Sequence, residues 1–513
     1  MLARLSFILI LSSCSFFSLA QPYQPPVFTA PDRTSKITAT FPVIDQLYKD
    51  YAEKNHFPGM VYGVIVDGKL VHTGSLGYTD AKQKIAASPQ SNFRIASMTK
   101  SFTAMAILKL RDEGKLKLDD PIKLYIPEAN DTKYLTKDAS EITIRQLLTH
   151  SAGFPEDNPW GDRQLAASDE ELIALYKKGI SFSNNPGLGY EYSNLGFATL
   201  GYIIKKISGL TYQQYITDQI LKPLGMGHTY WEYTKVPKDK LAHGYRYVGT
   251  KWVEQPLLHD GSYGAMGGLI TTIEDFSKYM ALHLAAWPPR DDRETGPLKR
   301  SSIREMQYPW DLSVLNVLAK TTDARPCPTI NAYGYGLRYT RDCDNRVYVG
   351  HTGGLPGFGS QWSIMPEYGV GIVAFANLTY AKAGLINTKV LDTLLTLSGI
   401  APRQLPPSTI LKQRKSELLK LLPTWDKAAE SRLFADNFFM DYSLEQLKTA
   451  AKDIFIKAGQ IKNVSEVMAE NQLRGYFILN GAHANIKISF TLTPENPALL
   501  QEFHLDLISK PDQ

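Results

Sequence analysis

Three short segments of this 513-residue chain set chemically capable side chains at telling spacings. The first is Ser97-Met98-Thr99-Lys100. If this stretch is helical, the hydroxyl and the amine lie side by side, one turn apart. Near a helix N-terminus they also meet free backbone N–H groups, which favour developing negative charge. A nucleophilic serine needs both features: a neighbour to take its proton and donors to hold an oxyanion. The second segment is Tyr190-Glu191-Tyr192-Ser193-Asn194. Tyr192, its pKa lowered by a nearby Lys100, would serve as a phenolate base, and Asn194 as a donor to a substrate carbonyl or to Lys100. The third is His351-Thr352-Gly353-Gly354, in a run rich in glycine from Gly350 to Gly359. Glycines at that density let a backbone approach a ligand closely, while His351 and Thr352 present a cationic or donor pair to an anionic group.

Singly, none of these is informative. A serine followed three residues later by lysine arises by chance on the order of twice in a chain of this length. Tyr192 and Asn194 also fit a buried tyrosine and a helix cap, and the third segment fits a tight turn with a structural histidine. His150, His228 and His243 are read as structural. The elements that would position the three segments decide the matter. Apolar Met98, Phe102, Met105 and Leu108 recur every three or four residues, which predicts a helix from Ser97 with one buried face, ended by Gly114. Val61–Val66, Asp67-Gly68 and Lys69–His72 predict a hairpin, after a helix over Val43–Lys54. From Ser97 to about Asn331 the chain reads as helices and loops, with helices over Thr143–Leu148, Glu170–Lys178, Ser193–Ser208, Tyr212–Ile220 and Thr272–Leu284. Strand character returns at Val347–Val349, Gly359–Met365 and Val370–Phe375, and a helix follows over Asn387–Leu397. Strands at both ends around a helical middle predict an α/β (α+β) fold. One antiparallel sheet is covered by the first and last helices and joined to an all-helical lobe, with a cleft between them.

Residues 1–20 read as a signal peptide: Arg4, an apolar stretch from Leu5 to Leu19, and Ser18-Leu19-Ala20 before Gln21. Leu11-Ser12-Ser13-Cys14 resembles a lipoprotein box, but Phe16-Phe17 and the site at Ala20 favour cleavage over anchoring through Cys14. The expected location is therefore periplasmic or secreted, with no membrane span that persists. Export leaves Cys327 and Cys343 as a candidate disulfide. The net charge of +5 is spread without a basic block, so nucleic acid is not an expected partner. No Cys/His spacing fits zinc and no phosphate-cradling glycine loop follows a strand, so neither metal nor cofactor is expected. The part that carries the three segments spans residues 21–400. Ala401–Pro407 opens a Pro-rich linker, 401–414, before a small C-terminal α+β domain, 415–513, whose partner the sequence leaves unknown. Helices are expected there over Leu411–Leu421, Ala428–Phe438 and Leu444–Ala458, then strands over Val464–Ala469, Gln472–Leu479, Ala484–Thr491 and Leu499–Leu507.

Taken together and in order, Ser97-x-x-Lys100, Tyr192-Ser193-Asn194 and His351-Thr352-Gly353 resemble the motifs of the serine β-lactamase and penicillin-binding protein superfamily. Leu147-Leu148-Thr149-His150-Ser151-Ala152-Gly153 is similar to a segment of its class C-like branch. The resemblance implies an acyl-serine hydrolase acting on small esters, D-amino-acid peptides or amides, or β-lactams. Ser97 would be the nucleophile, and Lys100 and Tyr192 would share its proton and later activate water. Asn194 would orient substrate, and the N–H groups of Ser97 and Gly354 would form the oxyanion hole. The alternative is a penicillin-binding sensor that acylates without turnover. His351 stands where the family often has lysine. Because imidazole is largely neutral at pH 7, the expectation is a weak grip on substrate carboxylates, with β-lactams as slow substrates or inhibitors.

Overall fold

The computed structural model describes residues 23–510; the expected signal peptide and Cys14 lie outside them. Two compact units emerge among the described residues, one of residues 28–402 and one of residues 403–510 to which Val27 pairs through Gln404.

The larger unit is built on a nine-stranded sheet. Its strands are β1 (Gly59–Val66), β2 (Lys69–Asp80), β3 (Ile85–Ala86), β4 (Asp311–Asn316), β5 (Thr329–Tyr333), β6 (Arg338–Arg341), β7 (Val347–Leu355), β8 (Phe358–Met365) and β9 (Val370–Ala376). They lie in the order β3-β2-β1-β9-β8-β7-β6-β5-β4, and their pairings are antiparallel. The early hairpin thus joins the late strands, β1 against β9 with Gly63 opposite Val373. Asp67, at φ +50, and Gly68, at φ +76, make the turn that the Asp-Gly pair predicts.

Both faces of the sheet are covered, so the central strands are buried throughout and alternate only in which layer they meet. Met60, Tyr62, Val64, Ile372 and Ala374 pack beneath helices α1 (Phe41–Lys54) and α5 (Ala383–Ser398). Tyr48 of α1 stacks on Tyr62 and donates to Asn387 of α5 at 2.6 Å, tying the two covering helices together. Val61, Ile65, Val373 and Phe375 face the helical lobe. In that lobe lie α2 (Lys100–Asp112), α3 (Asn194–Ser208) and α4 (Ile273–Ala285). α2 ends where Gly114 takes φ +73. It is buried on nearly every side from Lys100 to Leu108 instead of on one face, as befits a helix at the centre of its lobe.

Two features depart from the sequence expectation. The stretch read as helix and loop up to Asn331 also holds β4, part of β5 and a hairpin over Tyr245–Glu254, so the lobe is not purely helical. β4 runs along the sheet edge with Leu312, Val314 and Leu315 exposed, which removes the buried/polar alternation that marks a strand. In the smaller unit, Ala428–Phe438 is not a helix. Only a short turn at Ala428–Glu430 and one at Phe438–Asp441 form, because Leu433, Phe434 and Phe438 are drawn individually into the core. That unit packs α6 (Thr409–Leu421) and α7 (Leu444–Ala458) on an antiparallel sheet whose main strands are Ile461–Val464, Arg474–Gly481, Asn485–Leu492 and Leu500–Ile508. α6 begins inside the segment read as linker.

A chain ending at Pro402 should fold and keep covalent labelling of Ser97 by a fluorophosphonate. Loss of labelling with a retained cooperative melt would mean that residues 403–513 complete the site.

Candidate active site

The site forms where the start of α2 meets the exposed edge of β7. Ala96 precedes the candidate nucleophile at φ +51, a strained setting for a residue with a Cβ. It opens a short 3₁₀ turn, Ala96–Thr99, that places Ser97 just ahead of α2. β7 pairs with β8 along Val349–Leu355 but with β6 only as far as Gly350. Residues 351–355 therefore carry a strand on one side only, and the other edge faces Ser97. Gly353 makes this approach possible, since a Cβ there would stand 2.2 Å from the Ile95 carbonyl oxygen. Ser360 of β8 donates to the same carbonyl at 2.8 Å, pinning the sheet to the nucleophile turn.

Lys100 is fully buried, and its Nζ lies 3.0 Å from Ser97 Oγ, 2.7 Å from Asn194 Oδ1 and 3.0 Å from the Met266 carbonyl oxygen. Nζ donates to all three oxygens. When the amine is neutral, two N–H bonds suffice for Asn194 and Met266, and the lone pair is free to take the Ser97 proton. Burial drives the Lys100 pKa down to about 7; Asp162 and Asp157 act in the opposite sense, and Arg338 acts with burial. Asp157 accepts from the backbone N–H of Asn194 and Leu195, at 2.6 and 2.9 Å, and so caps α3. Asp162 is buried and accepts from Tyr380 at 2.9 Å.

Of the other expected site residues, Tyr192, Asn194 and His351 gather around Lys100 and Ser97, while Thr352 does not. Tyr192 hydrogen-bonds Ser97, and its ring lies 4.8 Å from Lys100 Nζ. Its pKa is raised, not lowered: burial outweighs Arg338 and the Ser97 hydrogen bond, so the side chain is a neutral phenol. The Asn194 amide holds the lysine, its oxygen accepting from Lys100 and one N–H of its nitrogen donating to Asn158 at 3.1 Å. His351 is buried and neutral, burial and the charges of Arg338 and Lys100 holding its pKa well below the usual value. Its Nδ1 donates to the Thr352 carbonyl at 2.5 Å, and Nε2 accepts from the Tyr333 hydroxyl at 2.8 Å. It offers no cation. Thr352 is exposed on the opposite face of β7, and Gly354 lies beside the Tyr380 ring. Cys327 and Cys343 are bonded, with Cα atoms 5.1 Å apart. His150 supplies no charge either; buried at φ +60, it accepts from the Ser193 N–H and lies tilted against the Tyr192 ring, centroids 4.2 Å apart.

Sequence reasoning missed Arg338. Its guanidinium lies 5.5 Å over the Tyr192 ring, beside Tyr190 and Tyr333, and these phenols favour its charged form. Among the described residues no carboxylate forms an ion pair with it. A lone arginine carries no periodic signal, but the spacing Gly334-x-Gly336 just before it does. Gly336, at φ +66, passes so near α2 that a Cβ would stand 2.7 Å from the Lys100 carbonyl oxygen. Asp162 and Tyr380 were missed as well, on loops that no motif marks.

The arrangement supports general-base activation of Ser97 by neutral Lys100. For an uncharged ester, kcat/KM should rise with pH through an apparent pKa near 7, as the ammonium form loses its proton. Asp162→Asn removes negative charge that favours the ammonium, so this limb should move to lower pH. A limb that stays in place or moves upward would contradict the electrostatic role of Asp162.

Comparison with known proteins agrees with this geometry. A family model described as Beta-lactamase matches residues 44–395. Protein flp of Staphylococcus aureus (strain MW2) is 31% identical over 339 residues, covering 65% of this chain and 62% of flp. The putative penicillin-binding protein PbpX of Bacillus subtilis (strain 168) is 32% identical over 240 residues, or 46% of this chain and 57% of PbpX. The match therefore spans less than two thirds of these curated relatives. Among solved structures, the octameric penicillin-binding protein homologue from Pyrococcus abyssi has a TM-score of 0.59 at 23% identity, covering 92% of this chain and 98% of that one. A class C beta-lactamase has a TM-score of 0.55 at 22% identity, covering 71% and 98%. At such identities the structures bear on fold alone. The family model, which runs from α1 into α5 and encloses all three motifs, carries the assignment: the chain belongs to the beta-lactamase family of serine hydrolases.

Proposed function

We propose that this chain is an exported hydrolase that forms an acyl-serine on Ser97 and releases carboxylate-bearing leaving groups. The observation that carries the reading is the buried Lys100 amine, held by Asn194 and Met266 within 3.0 Å of Ser97 Oγ, with its pKa brought down to about 7. Lys100 takes the Ser97 proton as Oγ attacks the acyl carbon. The neutral Tyr192 phenol, hydrogen-bonded to Ser97, passes a proton to the departing amine or alcohol and is reprotonated from Lys100. Water then repeats the sequence against the ester, with Lys100 again the base. The Ser97 and Gly354 N–H groups are the proposed oxyanion donors.

His351 alone suggested a weak grip on carboxylates. Arg338 changes that expectation, because it supplies the permanent, unpaired cation that a neutral imidazole does not. Peptides ending in a free carboxylate, and β-lactams, fit beside it; small neutral esters need only Ser97 and Lys100. Export to an oxidising compartment fits the Cys327–Cys343 bond.

Treated with a fluorophosphonate or a penicillin, the protein should gain one adduct, on the peptide containing Ser97. Ser97→Ala should gain none and lose ester turnover by several orders of magnitude. An adduct elsewhere would defeat the assignment, and acylation without repeated turnover of any ester would make the chain a binder. Arg338→Gln should raise KM on the order of tenfold or more for carboxylate-terminated substrates and change neutral esters little. Equal losses for both classes would remove Arg338 as the anchor.

A further inference from the structure

A cavity of about 680 Å³ opens beside the third motif, on the face of β7 that looks away from the helical lobe. Gly350, Thr352 and Gly354 form its floor, and α5 forms its far wall. Thr352 points into it, its Cγ2 standing 3.5 Å from where a Cβ on Gly384 would be. The roof is the segment between β4 and β5. Thr322 of that segment hydrogen-bonds Asp392 of α5, Arg325 pairs with Asp344 at 2.7 Å, and the Cys327–Cys343 bond clamps its end to the turn between β6 and β7. Arg338 stands at the mouth. A volume of this size accepts a group much larger than the methyl of an alanine.

The position of the cavity relative to the reacting bond follows from the strand pairing. A substrate lying along the open edge of residues 351–355 runs out of edge at Gly350, where β6 takes over. The part beyond the scissile bond, its carboxylate on Arg338, has its remaining substituent directed past Thr352. There it meets Leu385, which is 63% exposed although it lines the cavity, together with Ala381 and Leu391. Arg346 pairs with Asp392 at 3.2 Å, while two lining lysines, Lys320 on the roof and Lys382 just before α5, are exposed.

From this geometry we infer that the cavity is a leaving-group subsite for a released amino acid with a long, uncharged apolar side chain, with Lys320 disfavouring a basic one. The inference rests on the acyl-serine reading above and names the substrate class for that site. The bond broken is the acyl–nitrogen bond; the released amine takes the proton carried by Tyr192, and water supplies the rest at deacylation.

The test is a series of peptides with one acyl donor and a C-terminal alanine, leucine, phenylalanine or lysine, in both configurations at that residue. In the more active configuration, kcat/KM should rise on the order of tenfold or more from alanine to leucine and phenylalanine, with lysine below both. Thr388→Trp, an exposed position on α5 that fills the cavity, should flatten the series and leave the alanine peptide and a simple ester nearly unchanged. A flat series in the unaltered protein, or equal losses across it in Thr388→Trp, would overturn the subsite. Turnover of a simple ester separates the two levels: if it persists while the series is flat, the subsite alone fails, and if no acyl-serine forms, the underlying reading fails.

Discussion

The structure depends on burying one amine. Placing Lys100 in a site closed to water lowers its pKa from 10.5 to about 7, a penalty on its charged form of about 5 kcal/mol. That penalty turns an ordinary lysine into a base near neutrality, and it has to be held by the surrounding fold. α2 is therefore enclosed on nearly all sides, and the amine is given two acceptors, Asn194 and Met266, from separate parts of the lobe. Asp157 and Asp162 limit the shift, keeping the lysine from losing its proton altogether at neutral pH. The strain at Ala96 belongs to the same design, since it turns the chain so that Ser97 meets the Lys100 amine.

Once Lys100 is dry, the charge of every neighbour is constrained. A second cation close by would lower its pKa further, and a phenolate at Tyr192 would be unsupported because the same burial that discharges the lysine also disfavours the anion. The site accordingly holds neutral His351, neutral His150 and a neutral Tyr192 around the amine. A permanent cation, Arg338, is set over the Tyr192 ring and in reach of solvent. Its charge and the Lys100 amine are thereby kept on either side of one aromatic ring.

This explains what the sequence made legible and what it hid. Ser97, Lys100 and Tyr192 stood out because helix periodicity and order along the chain are local properties. Their identities were readable; their charge states were not, since Tyr192 and His351 take theirs from burial that only the assembled fold creates. Arg338 lies on a four-residue strand next to β5, which in turn pairs with the edge strand β4, where the exposed Leu312, Val314 and Leu315 erase the alternation that marks a strand. The early hairpin and β7–β9 were legible for the opposite reason: turn residues and continuous apolar runs marked both their ends and their burial. The false helix at Ala428–Phe438 shows tertiary packing overriding local propensity, with Leu433 and Phe434 claimed by a core that helical spacing would not serve.

The register of β7 connects these levels. Side chains alternate across a strand, so a slip of one residue against β8 would exchange its two faces. His351 and Gly353 would then turn away from Ser97, and Thr352 would be forced against Ile95, where no side chain fits. Several contacts make that slip costly. Gly353 pairs with Ser360, whose hydroxyl is bound to the Ile95 carbonyl, and Asn387 of α5 donates to the Gln361 carbonyl one residue further on. The hydrogen bond that locks the register thus ends on the residue two before the nucleophile. Strand pairing, the open edge of β7 and the placement of Ser97 are fixed together, so a substitution that loosens the β7–β8 pair displaces Ser97 before it disturbs the core.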